Sequence, residues 1–198
     1  MHPDIGKKYD KIAKWWHEYH VNSSYGIEQI ERALSYCQKK GTALDVGCGS
    51  GGRIIRKLEQ ENFNVYGIDA SAEMIAISES QHPKSNFEVC NIIDWKIDKQ
   101  FDLIIAWDSI FHLPIEMQKP VISKLCGMLN SSGILIYTFG NTIGEHKSEW
   151  HGEQFPYSSI GINANLKTIM ESDCECLHLE LDQYPEHHAY IIIRKDWT

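Results

Sequence analysis

Apolar residues along the chain change their spacing several times, and each change marks an element. Ile5, Tyr9, Ile12, Ala13 and Trp16 recur at helical intervals, which predicts a helix over residues 5–20. Asn22-Ser23-Ser24 reads as a break and N-cap. Ile27, Ile30, Leu34 and Cys37 then mark one face of a second helix that Gly41 closes. A short apolar run, Ala43-Leu44-Asp45-Val46, has the length of a buried strand and ends in glycines, with a helix-like segment from Arg53 to Glu59 behind it.

The same alternation continues downstream. Residues 64–69 read as a second strand, and Ser71 as the cap of a helix running through Ser78. A third strand starts at Asn86, and a fourth, from Phe101, runs into a loop at Trp107-Asp108-Ser109. Pro114 suits the first turn of a helix to Leu129, although Pro120 is expected to interrupt it. A fifth strand ends near Phe139, and residues 141–160 read as a long polar and aromatic connector. A last helix spans 164–171, and two strands, 175–183 and 188–194, flank a turn at Tyr184-Pro185-Glu186.

The glycine run carries the first chemistry. In Asp45-Val46-Gly47-Cys48-Gly49-Ser50-Gly51-Gly52, the glycines let backbone N–H groups approach a ligand at the carboxyl end of a strand. Gly47-x-Gly49-x-Gly51 and Gly47-x-Gly49-x-x-Gly52 fit two different nucleoside cofactors. Asp69, about 20 residues on, suits the ribose of either. Asp45 separates them, because a carboxylate beside this turn would repel a pyrophosphate but favours a cationic sulfonium and ammonium. Its plainer reading is a capping acid.

In this order and spacing the five segments resemble the class I S-adenosylmethionine-dependent methyltransferases over roughly residues 40–140. The likeness is greatest to the small-molecule branch that includes ubiquinone and menaquinone methyltransferases. The resemblance implies an α/β, Rossmann-like, seven-stranded and mostly parallel sheet. It ends in a C-terminal antiparallel hairpin, with helices on both faces and an N-terminal helical cap. A single domain is expected, comprising a cap (1–40), a cofactor-binding core (41–140), a substrate-side connector (141–160), and a last helix with the hairpin (161–198). The cofactor it implies is S-adenosylmethionine.

Carried onto this chain, the family's contacts put Gly47, Cys48 and Gly49 under the methionine and ribose, with Asp45 near the ammonium. Asp69 accepts from the ribose hydroxyls, and Ala70 and Met74 pack on the adenine. Asn91 stands where the family usually has an acid facing the adenine amino group, and the backbone of Ile92 serves the ring. Trp107 offers its carbonyl to the ammonium, and Tyr9 and Trp16 close over the cofactor. Met74, Tyr9 and Trp16 equally suit plain core positions. His112, just after the fourth strand, is the candidate general base, with an ordinary pKa near ~6.5. Its alternative is a hydrogen-bonding post. Asp108 is placed to orient it or to contact the cofactor carboxylate through water, while Tyr137, His146 and His151 are more remote candidates. Trp150, Phe155 and Tyr157 are placed either to wall an acceptor pocket or to pin the connector.

Composition narrows the acceptor. The net charge is −8 over 198 residues and no long basic run is present, so nucleic acid is not expected as a partner and a small molecule is. No apolar window approaches a membrane span, and Met1–Lys8 lacks the apolar core of a signal peptide. The six cysteines show neither Cys-x-x-Cys nor zinc spacing, which suits reduced thiols and a cytoplasmic setting. His187-His188, adjacent on a strand, point to opposite faces, so no metal is expected. Three other functions stay open: a silent S-adenosylmethionine-binding sensor or partner protein, a nicotinamide-dependent oxidoreductase (disfavoured), and an RNA methyltransferase with a local basic patch.

Overall fold

The computed structural model describes residues 4–183 and 185–196. The first three residues of the expected cap, Tyr184 of the expected turn and the last two residues lie outside the described residues. In chain order the elements are α1 (Ile5–His20), α2 (Ile27–Tyr36), β1 (Thr42–Val46), α3 (Arg53–Gln60), β2 (Asn64–Asp69), α4 (Ala72–Gln81) and β3 (Asn86–Val89). There follow β4 (Phe101–Ala106), a 3-10 turn (Ile110–His112), α5 (Ile115–Gly127), β5 (Leu129–Gly140), β6 (Ile143–Trp150) and β7 (Glu153–Ile160). The chain closes with α6 (Gly161–Met170), β8 (Cys174–Asp182) and β9 (His188–Lys195).

Seven strands form one sheet in the order β3-β2-β1-β4-β5-β9-β8. The pairs among β1 to β5 are parallel, and β9 pairs antiparallel with both β5 and β8. Helices on both faces explain why the central strands read as unbroken apolar runs. Successive residues of β4 go to opposite sides. Leu103 and Ile105 pack with α2 and α3 residues such as Ile30, Leu34, Ile55 and Leu58. Ile104 and Ala106 pack with Val121, Ile122 and Leu125 of α5 and Ile169 of α6.

Three expectations are corrected. Residues 143–160 are not a loop but a separate two-stranded hairpin, β6–β7, turning on His151 and Gly152. Both of those residues have positive φ (49° and 74°), as a tight two-residue hairpin turn requires. The hairpin escaped notice because β6 is polar and solvent-exposed over Ile143–Glu149, while only β7 turns apolar residues inward. Helix α2 is preceded by Gly26 at φ 80°, not capped by Asn22-Ser23-Ser24; Ser23 Oγ instead accepts from Tyr25 N–H. Pro120 leaves α5 unbroken. Pro120 and Glu116 are both exposed, so the Glu116 carbonyl that loses its helical partner faces solvent.

Helix α1 lies across the carboxyl edge of the sheet and is seated by close contacts. Asp10 Oδ1 accepts from Ser71 Oγ (2.6 Å) and Glu73 N–H (3.1 Å), so α1 closes the open N-terminus of α4. Lys8 donates to the carbonyl of Gln154, and Lys11 pairs with Glu153, tying α1 to β7. A Cβ on Gly6 would overlap the carbonyl oxygen of Ala70. Intrinsic helix preference favours Ala over Gly by about 1 kcal/mol. Gly6→Ala is nevertheless expected to destabilise the protein by about 1–3 kcal/mol through overpacking, as read by denaturant unfolding. Unchanged or raised stability would contradict this seating of α1.

Candidate functional site

Strand β1 pairs with β2 on one side and β4 on the other, so the chain reverses its direction of winding at β1 and leaves a crevice at the strand ends. The glycine turn follows β1 directly. Gly47 and Cys48 N–H both donate to the carbonyl of Ile68 (2.8 and 3.0 Å), folding the turn against the end of β2. Gly47 sits at φ 76°, and a Cβ there would overlap the side chain of Ser109. The Gly47 backbone therefore packs against the Ser109 side chain at a distance that no larger residue allows.

The crevice is a cavity of about 140 Å3. Tyr9, Trp16, Asp45, Gly47, Cys48, Gly49, Asp69, Ala70, Met74, Trp107 and His112 all line it, although their sequence numbers span more than 100 positions. Two expected residues lie elsewhere. Asn91 borders a neighbouring depression with Ile5, Gly6, Lys7, Asp10 and Ala70, and its side-chain oxygen accepts from Ile93 N–H (3.1 Å). Ile92 is buried in the core, with its carbonyl taken by Lys124 Nζ (2.6 Å).

Asp69 organises the turn before any ligand arrives. One carboxylate oxygen accepts from Gly49 N–H (2.9 Å) and the other from Ser71 N–H (2.9 Å). Each oxygen keeps a further lone pair for a ligand hydroxyl. Burial pushes its pKa up, and those backbone donors oppose the shift.

Asp45 is 3% exposed. Burial pushes its carboxyl up to about 7; Arg53 opposes the shift and Asp69 adds to it. The folded chain thus holds this proton more tightly than the unfolded chain, whose carboxyl titrates near 3.8. Stability from this group is greatest below that value, falls as pH rises to about 7, and is level beyond. The cost of ionising it is on the order of a few kcal/mol. Asp45→Asn is therefore expected to raise the melting temperature of the ligand-free protein, more at pH 8 than at pH 5. An equal or absent gain would mean that the carboxyl is not held in its neutral form.

His112 is 2% exposed and held at both ring nitrogens. Nδ1 faces the carbonyl oxygen of Pro156 (2.7 Å), which only accepts, so Nδ1 carries the hydrogen. Nε2 then accepts from the Tyr9 hydroxyl at 2.9 Å. Burial raises the Tyr9 pKa far above that of an ordinary phenol, with Tyr157, Asp69 and Asp108 adding to the shift. The Tyr9 ring packs edge-on against Trp16 (5.8 Å) and Phe155 (5.2 Å). Phe155 and Tyr157, on β7, thus sit beside the Tyr9–His112 pair. Trp150 joins the cluster through Trp16 (5.6 Å).

Sequence reasoning missed Tyr25, Arg53 and Ser109, which also line the cavity. Arg53 follows Gly52 directly, and that proximity to the turn was a usable signal; its Nε donates to the carbonyl of Tyr25. Nothing local marks Tyr25. Ser109 Oγ is buried with no hydrogen-bond partner among the described residues. The Asp108 carboxylate bonds His188 Nε2 (3.0 Å), a partner the sequence did not suggest. Among the described residues no cluster of three His, Cys, Asp or Glu could hold a metal ion. No described helix is long and apolar enough to cross a membrane.

Comparison with known proteins agrees with this geometry. Residues 43–133 match the methyltransferase domain family. The chain is 29% identical over 99 residues to an uncharacterized methyltransferase of Alkaliphilus oremlandii, covering 50% of this chain and 45% of that protein. It is 30% identical over 145 residues to the ubiquinone biosynthesis O-methyltransferase of Rickettsia bellii, covering 66% and 59% respectively. The chain spans about half the length of the curated relatives it matches. A magnesium protoporphyrin IX methyltransferase from Synechocystis, solved with bound SAM, superposes with a TM-score of 0.76 at 13% identity, covering 97% of this chain and 95% of that one. At that identity it shows a shared fold. The turn, the sheet order and the domain match agree: residues 43–133 carry a methyltransferase domain, and the sheet as a whole has the fold of S-adenosylmethionine-dependent methyltransferases.

Proposed function

We propose that this protein transfers a methyl group from S-adenosylmethionine to a small-molecule acceptor. The observation that carries the reading is the single cavity that brings the glycine turn, Asp45 and Asp69 together with the Tyr9–His112 pair. The residues present fit the cofactor. At Gly49 a Cβ would project toward Trp16 Nε1 (3.5 Å) in the cavity that both residues line, Ser109 Oγ is a buried hydroxyl with an unmet hydrogen bond among the described residues, and Asp45 is a buried carboxyl suited to a cation. When bound, S-adenosylmethionine supplies a methyl group already activated on a sulfonium.

The chain's own work is then binding, orientation and proton handling. In this reading Asp69 holds the ribose, Ala70 and Met74 pack on the adenine, and Asn91 and Ile92 border its outer edge from the neighbouring depression. Gly47, Cys48 and Gly49 run beneath the methionine, whose ammonium faces Asp45 and the Trp107 carbonyl and whose carboxylate faces Arg53. Tyr9 and Trp16 on α1 close the cavity. Alignment and exclusion of water supply most of the acceleration for an in-line displacement. Where the acceptor must lose a proton, Tyr9 receives it as its own hydroxyl proton passes to His112 Nε2, so no free tyrosinate forms.

The acceptor enters from the side bounded by α1 and β6–β7. Aromatic residues there (Trp16, Trp150, Phe155, Tyr157) suit a planar or apolar small molecule, in keeping with the ubiquinone-pathway name of the Rickettsia relative. The chain works as one unit of cap, cofactor core, substrate-side hairpin and C-terminal hairpin. All six cysteines are free, which suits a cytoplasmic setting. A nicotinamide enzyme fits poorly, because β9 and β8 run antiparallel where a second parallel half-sheet would be needed. Calorimetric titration with S-adenosylmethionine and S-adenosylhomocysteine, followed by a screen of small hydroxyl, amine and carboxylic acceptors, tests the proposal. Micromolar binding and acceptor-dependent methylation support it; absence of binding by folded protein overturns it. Binding without turnover across the screen favours a silent cofactor-binding protein instead.

A further inference from the structure

The C-terminal hairpin places one charged side chain beside the cavity from outside it. His188 opens β9 opposite Asp182 at the end of β8. Its Nδ1 faces Asp182 Oδ1 and its Nε2 faces Asp108 Oδ1 at 3.0 Å. Carboxylate oxygens accept, so an imidazolium is the form that donates to both at once, in keeping with the raised pKa of His188. Asp182 Oδ2 is buried without a hydrogen-bond partner among the described residues, which leaves the imidazolium as the compensation for that carboxylate.

Asp108 is the cavity-lining end of this chain of charges. It follows Trp107 directly, and its backbone is held at φ 51°, in the left-handed region that non-glycine residues seldom adopt. Its N–H donates to Thr138 Oγ1 (2.8 Å), so β5 pins the backbone while β9 pins the carboxylate.

We propose that His188 is a positioning residue that fixes the Asp108 carboxylate to receive the cationic amino group of the cofactor's methionine moiety. The inference rests on the cofactor reading above. It adds that β8–β9, far in sequence from the glycine turn, sets the grip on the amino-acid end. Arg53, which lines the same cavity and interacts electrostatically with Asp108, supplies the opposite charge for the carboxylate of that zwitterion.

The groups facing His188 are Asp182 and Gln183 from β8 and its turn, Asp108 from the loop after β4, and the edge of the Trp107 ring. Tyr25 reaches the same cluster through Gln183 and by a side-chain hydrogen bond to Asp108 itself, and Arg53 interacts electrostatically with Asp108. The two carboxylates raise the His188 pKa against the effect of burial. The link is complete below the ordinary imidazole range and is lost as pH rises through the raised value.

The test compares S-adenosylhomocysteine with 5′-methylthioadenosine, which shares the nucleoside but lacks the amino acid. Calorimetry is run on the wild type, His188→Leu and Asp108→Asn, with circular dichroism to establish folding. Affinity for S-adenosylhomocysteine is expected to fall about tenfold in both variants, while that for methylthioadenosine stays within about twofold. The wild-type advantage over His188→Leu should shrink with rising pH. Asp45 titrates in both proteins and cancels from that ratio. Equal losses for both ligands, or no loss in His188→Leu, overturn the proposal while leaving the cofactor reading intact. Failure of the wild type to bind either ligand overturns both. If His188→Leu does not fold, His188→Gln takes its place with the same expected selective loss, and no loss in it overturns the proposal.

Discussion

Replacing Asp69 with Ala is expected to weaken binding of S-adenosylmethionine by about 100-fold or more. Two effects combine. The ribose loses an ionised acceptor, and charge-assisted hydrogen bonds contribute about 1.5–3 kcal/mol each. The N–H groups of Gly49 and Ser71 lose the carboxylate that now holds them at 2.9 Å, so the glycine turn loosens before the ligand arrives. A loss of about 3 kcal/mol corresponds to somewhat more than two orders of magnitude in dissociation constant. Asp69→Asn keeps one carbonyl acceptor and should fall between the two. Titration calorimetry on both variants, with thermal melts of the ligand-free proteins, separates lost binding from lost structure. Near wild-type affinity in Asp69→Ala would remove this residue from the site.

The second large effect belongs to the Tyr9–His112 pair. With an acceptor whose nucleophile must shed a proton, His112→Ala is expected to lower kcat by about 10²–10⁴, the range for a lost acid–base group. The cofactor dissociation constant should change only a few-fold. His112→Ala also strips the Pro156 carbonyl of its donor, so some stability is lost as well. Tyr9→Phe is the milder control. It keeps the ring packed against Trp16 and Phe155 and removes only the hydroxyl that joins cavity to imidazole. A kcat for Tyr9→Phe equal to wild type, with its KM for acceptor also unchanged, would reduce the pair to a brace between α1 and the 3-10 turn.

Which residues meet at the crevice was largely legible because the relevant signals are short-range. Gly47 and Asp69 lie at the ends of adjacent parallel strands, and the strand–turn–helix pattern places both at one edge of the sheet. Eleven of the thirteen expected site residues line the cavity, most of them expected from the family resemblance rather than from local pattern. Asn91 and Ile92 were assigned from the family pattern. Their placement depends on how the loop after β3 folds, which Asn91's own side-chain bond to Ile93 and Lys124's hold on Ile92 decide.

The connector shows the opposite case. Ile143 to Glu149 carries almost no apolar alternation, since β6 is exposed on both faces, so sequence pattern had nothing to report. Pairing with β7 and burial of Phe155 beside Tyr9 turn those residues into a wall of the site.

Hydrophobic spacing, glycine placement and acid positions by themselves determined the alternation of strands and helices, the strand ends and the glycine turn, because these follow from local backbone geometry and burial period, while the order of strands in the sheet was implied by the family resemblance. The tertiary structure alone decided which side chains share protons and charge. Tyr9 meets His112, and Asp108 meets His188, across separations of 103 and 80 residues. Such pairings depend on the packing of whole elements against one another, and no local interval in the chain encodes that.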